Sequence, residues 1–152
     1  LDFLTSASQE QQAFLAKHKD DSTYDAQLAA VYCDGAEVLL ARYGKTGFPK
    51  SIPAMLHGIR IGDLTLLGAP FEIMQGIRRE VCAASTSPFP AVLSLCGDAL
   101  GYAPDRESVE QAKLYESKLV PLINGLLPYG NIWNELPDAL RKLDVLLEHC
   151  QS

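Results

Sequence analysis

Basic residues are scarce: 13 Lys and Arg stand against 19 Asp and Glu in 152 residues, a formal net charge of −6. Nucleic-acid binding runs on clustered Lys and Arg, so this balance argues against it. Long apolar runs are missing too. The longest uncharged stretches, Val81 to Gly97 and Leu119 to Asn134, are shorter than the ~18 residues of a membrane-spanning helix and are broken by Pro and Gly. The opening Leu1-Asp2-Phe3 has no Met, no basic segment and no apolar segment behind it. That predicts a fragment boundary rather than a native start or a signal peptide. The four cysteines, Cys33, Cys82, Cys96 and Cys150, form no CxxC pair, so metal-binding spacing is absent. Buried thiols are expected, with two disulfides in an oxidising compartment as the alternative.

What is present is enough to fold. Hydrophobic residues make up 47% and charged residues 21% of the chain, the composition of a globular protein of one domain, residues 1–152. Residues 1–44 read as a helical hairpin. A polar stretch from Ser8 runs into Phe14 and Leu15; Ser22 and Asp25 then make a capping-box-like start. Leu28, Val31, Tyr32, Val38, Leu39 and Arg42 follow at helical spacing with the apolar ones on one face, and Gly44 closes the helix. Gly35 in its middle predicts a kink or close packing. Lys45 to Pro53 is a linker, held irregular by Gly47, Pro49 and Pro53.

Residues 54–104 form the expected core. Met55 to Ile61, the turn Gly62-Asp63 and the apolar run Leu64 to Ala69 predict a β-hairpin with a largely buried second strand. Glu72 to Ala84 reads as a helix with Ile73, Ile77 and Val81 inward and Arg78, Arg79 and Glu80 outward. Ala91 to Gly97 reads as another buried strand, which makes a βαβ-like unit, right-handed if its strands are parallel. Residues 105–152 add a helix over about Ser108 to Val120, a Pro/Gly-rich loop, and a final helix striped by Leu136, Leu140, Leu143, Leu147 and Cys150. The expected fold class is α/β (or α+β), with an N-terminal helical hairpin and a C-terminal amphipathic helix.

Ligands in open α/β sheets gather beyond the carboxyl ends of strands, and two loops qualify. Gly68-Ala69-Pro70-Phe71-Glu72 drops a carboxylate where strand turns into helix. Glu72 there either complements the helix dipole or serves as a metal ligand or general base. Gly97 to Pro104 offers Asp98 and Tyr102 as candidate substrate-binding side chains, or else as a turn cap and a buried ring. His18, His57 and His149 do not cluster, and no GxSxG, HExxH or phosphate loop occurs.

Three segments carry a resemblance: Ile59-Arg60-Ile61-Gly62-Asp63-Leu64 running into Leu67-Gly68-Ala69-Pro70-Phe71-Glu72; Ser87-Pro88-Phe89-Pro90; and Leu95-Cys96-Gly97-Asp98-Ala99-Leu100-Gly101-Tyr102-Ala103-Pro104. In order and spacing they resemble the closing part of the neutral/alkaline non-lysosomal ceramidase family, in particular small bacterial ceramidase-like proteins. The resemblance implies a zinc-dependent hydrolase that cleaves the amide bond of ceramide or a related N-acyl lipid. It implies Glu72 as a zinc ligand, and zinc as the cofactor that polarises the carbonyl or activates water.

The departures are equally concrete. The family's zinc-ligating tyrosine falls three residues before Tyr102, at Ala99, and Gly97 replaces the usual Asn. The family's histidines and its serine belong to an upstream half this sequence does not contain. The expectation is therefore the C-terminal portion of a larger hydrolase domain, inactive alone, whose partner is the N-terminal part of the same polypeptide. Without that part, an exposed apolar sheet edge or face should drive homo-oligomerisation or aggregation. The alternative is a non-catalytic ligand-binding or interaction module that keeps the fold and has lost the zinc site.

Overall fold

A computed structural model describes residues 9, 12–13, 16, 24–43, 46–47, 51–111, 115–116 and 120–150. The fold is α/β (or α+β): helices accompany a small mixed sheet, with helical structure at the N-terminal end and a long C-terminal helix. By contacts the chain forms two compact units, Leu1–Ile52 with Pro121–Pro128, and Pro53–Val120 with Tyr129–Ser152.

In the first unit the main element is α1, Tyr24–Tyr43. Its buried face is Ala26, Ala29, Tyr32, Cys33, Ala36 and Leu39, whereas Val31 and Val38 are exposed. This corrects the sequence-based face. At about 100° per residue, positions 31 and 38 lie together and roughly opposite 29 and 36. Small side chains outrank larger apolar ones here because the backbone comes close: a Cβ at Gly35 would lie 2.9 Å from the Leu122 carbonyl oxygen. Close packing is thus what Gly35 serves. The expected first arm of the hairpin, the Ser22 cap and Gly44 lie wholly or largely outside the described residues.

The second unit holds the sheet. β1 (His57–Ile61) pairs antiparallel with β2 (Leu64–Gly68) across the Gly62-Asp63 turn, as the sequence predicts, and Gly62 takes φ +58 there. β2 pairs in parallel with β4 (Phe89–Leu93), giving the order β1-β2-β4. Between them run β3 (Glu72–Ile73) and α2 (Gln75–Ala84). β5 (Tyr102–Ala103) pairs in parallel with β3. Then come α3 (Arg106–Glu110) and α5 (Ile132–His149), while α4 (Val120–Ile123), between them in sequence, belongs from Pro121 onward to the first unit. Much of the helix expected over Ser108 to Val120 lies outside the described residues.

Three boundaries differ from expectation. Glu72 and Ile73 are strand, not helix, because their backbone is claimed by residues 101–103: Glu72 N–H donates to Gly101 O at 2.8 Å and Met74 N–H to Ala103 O at 3.1 Å. The second strand begins at Phe89 and stops at Leu93, and Leu95 then takes φ +55. It is an edge strand rather than a buried one, which is why it tolerates Pro90. Cys150 caps the last helix and is exposed instead of completing the stripe.

One face of the sheet packs on α2 and α5. Leu67, Ile77, Val81, Val92, Leu136 and Leu140 are buried together, each worth about 1.5–3 kcal/mol of transfer free energy. The helix α5 sits directly on β1, since a Cβ at Gly58 would lie 2.8 Å from Leu147 Cδ1. None of the four cysteines is in a disulfide, and of these only Cys33 is buried. No helix among the described residues is long and apolar enough to cross a membrane.

Candidate functional site

The parallel pairing of β2 with β4 brings the ends of two strands side by side, and the two loops beyond them lace together. Cys96 N–H donates to Ala69 O at 3.0 Å, Leu95 N–H to Phe71 O at 3.0 Å and Leu100 N–H to Pro70 O at 2.7 Å. The lacing ends in the β3–β5 ladder, where Glu72 and Tyr102 are register partners. Two residues far apart in sequence thus become neighbours on one short ribbon.

Glu72, the register partner of Tyr102, raises the pKa of its phenol. Partial burial and the negative charges of Glu72, Tyr115 and Glu116 push the same way. Glu72 is exposed, and no ion pair among the described residues involves it. It also precedes α2: the N-cap is Met74, and the first turn of α2 contains no acidic residue. The dipole explanation for Glu72 therefore fails. Asp98 is exposed in the second loop, and its Oδ1 accepts from Ala99 N–H at 2.7 Å. That is a local turn contact, and no hydrogen bond among the described residues joins Asp98 to Glu72 or Tyr102.

The framework behind this ribbon uses residues the sequence did not single out. Arg78, expected outward, turns in: Nε donates to Ile73 O and Nη1 to Val92 O, each at 2.9 Å, and Nη2 to Ser94 Oγ at 2.5 Å. Ser94 Oγ also accepts from Ile73 N–H at 2.9 Å, so β3 is fixed against β4 next to Glu72. Asp105 caps α3 through Ser108 N–H at 2.9 Å and takes Gly76 N–H of α2 on its other oxygen at 2.9 Å. Tyr129 packs edge-on against Phe71, with centroids 5.6 Å apart, and donates to Leu100 O at 2.7 Å. Burial pushes the Tyr129 phenol up to about 12. His57 lies against the second loop, where a Cβ on Gly97 would come within 2.5 Å of its Nε2. His18 lies outside the described residues.

Three protein ligands are the usual minimum for catalytic zinc. No group of three or more His, Cys, Asp or Glu among the described residues could hold a metal ion. Glu72 and Tyr102 alone do not fit zinc. What they form is a solvent-facing carboxylate beside a protonated phenol, able to bind a cation in part or to exchange a proton. No protein-family model, curated sequence or solved structure matches the chain.

Proposed function

We propose that this chain is the C-terminal part of a ceramidase-like amide hydrolase and contributes Glu72 and Tyr102 to a cleft completed by upstream residues of the same polypeptide. The observation that carries the reading is the state of Glu72. It is a carboxylate on a strand end, held in place by backbone ladders and Arg78, exposed, and spent on neither a helix terminus nor an ion pair among the described residues. In this reading Glu72 is one ligand of a zinc ion whose remaining ligands this sequence does not supply. The amide substrate is an N-acyl lipid or a related compound. Tyr102 stands beside the carboxylate as its register partner, and Asp98 lies on the rim as a substrate contact.

The test is amide hydrolysis by the polypeptide carrying the upstream residues, with and without a chelator, in wild type and Glu72→Gln. Loss of turnover in both arms is expected. Turnover that survives Glu72→Gln would refute the assignment. Ala99 favours a second reading: its methyl cannot ligate a metal at the position of the family's tyrosine. The chain is then a non-catalytic binding module, and Glu72→Gln changes neither metal affinity nor activity.

A further inference from the structure

The backbone on both sides of Cys96 is left-handed. Leu95 before it takes φ +55, the one such residue other than glycine among the described residues, and Gly97 after it takes φ +80. A leucine in that conformation is strained, and strain of this kind collects where a side chain has to be aimed. Here it aims Cys96 back over the sheet. A Cβ on Gly68 would lie 2.6 Å from Cys96 Sγ and 3.7 Å from His57 Cβ, so only glycine at 68 leaves room for the thiol. His57 is the register partner of Gly68 on β1. Its ring reaches past Cys96 to the next residue, where Nε2 would stand 2.5 Å from a Cβ on Gly97. The imidazole therefore runs alongside Cys96, from the sulfur over Gly68 to the backbone of Gly97. His57 is exposed and Cys96 half-buried. No hydrogen bond or ion pair among the described residues engages the imidazole, and Cys96 Sγ has long contacts of 3.8 Å to Ser94 O and 4.0 Å to Leu93 O.

We propose that Cys96 and His57 form a thiol-exchange site for small disulfides. His57 takes the proton from Cys96, and the sulfur attacks one sulfur of the disulfide. A mixed disulfide forms on Cys96 as the ligand's own S–S bond breaks, and the departing thiolate receives the proton from His57. The disulfide is itself the oxidant, so no further reactant is needed. In such exchange the thiolate is the nucleophile, and access together with a neighbouring base sets its rate. With Sγ already pressed onto Gly68, the group added to it has to project towards solvent. Exposure alone would rank the thiols differently: Cys150 is exposed, Cys82 and Cys96 are intermediate and Cys33 is buried. The site belongs to the three-stranded sheet and its following loop, whereas Glu72 lies on the separate β3–β5 ribbon, so it stands independently of any hydrolase activity.

Reaction of the reduced, intact chain with the aromatic disulfide dithionitrobenzoate tests it, each cysteine being followed by peptide mass spectrometry. At neutral pH Cys96 should form its mixed disulfide first, ahead of the more exposed Cys150. His57→Gln should slow Cys96 at least about tenfold, a modest share of what a positioned base contributes, and leave Cys150 unchanged. Circular dichroism confirms that the variant remains folded. In urea, where the arrangement over Gly68 is lost, the lead of Cys96 should vanish, a check that needs no variant. Glu72→Gln should leave the Cys96 rate unchanged, which separates this site from the hydrolase site. Cys150 reacting first, a Cys96 rate indifferent to His57→Gln, or a lead that persists in the unfolded chain would each overturn the proposal.

Discussion

Tyr129→Phe removes one oxygen and keeps the ring that stacks edge-on against Phe71. At neutral pH the loss is the hydrogen bond to Leu100 O, about 1 kcal/mol. The pH dependence is more diagnostic. Because the folded pKa of Tyr129 is raised, from 10 to about 12, its contribution is complete below pH 10 and disappears as pH rises through 12. A rise of that size corresponds to about 2.7 kcal/mol, reduced to about 1.5 by screening at a half-buried site. Phenylalanine has no proton to lose, and the other five tyrosines are common to both proteins and cancel in the difference. Urea unfolding from neutral pH to about pH 12 should therefore show the wild-type advantage of about 1 kcal/mol shrinking above pH 10, crossing zero near pH 11 and turning into a small disadvantage by about pH 12. A difference that stays constant across this range would show that Tyr129 is not shielded as described.

Gly97→Ala should cost about 1–2 kcal/mol for the left-handed backbone, plus a clash with His57. In thermal melts His57→Ala should recover only the clash, and a double-mutant coupling of zero would contradict the contact. Arg78→Met strips three acceptors of their donor and should destabilise by about 2–3 kcal/mol in urea unfolding; a loss under about 0.5 kcal/mol would mean the guanidinium does not hold β3. Glu72→Gln should lower the pKa of Tyr102 in an ultraviolet or NMR titration, since hydrogen bonding and charge from Glu72 both raise it. No downward movement would place the two side chains apart.

Much of the local structure was legible because its signals are short-range. The Gly62-Asp63 turn between apolar runs announced the hairpin, and the leucines at 136, 140, 143 and 147 announced α5. The candidate loops were likewise readable as strand ends flanked by glycine. The direction of Arg78 was not. Helical periodicity places a side chain on a face but cannot see that carbonyls from β3 and β4 wait there. The buried face of α1 was misread for a related reason, since large apolar residues suggested one stripe while close backbone approach at Gly35 demanded small ones.

By itself, then, the amino-acid order determined the elements, the acidic surface, and Glu72 and Tyr102 as candidate side chains. Tertiary structure alone decided that the two are partners. Their pairing rests on β3 and β5, ribbons of two residues each, too short to have a periodicity of their own. Such strands exist only where a parallel neighbour supplies the other half of each hydrogen bond, and that neighbour is set by the β2–β4 pairing. The outward-facing apolar side chains of the sheet were decided in the same way. Ile59, Ile61 and Phe89 look like core residues in sequence, and only the docking of α2 and α5 on the opposite side leaves them facing out.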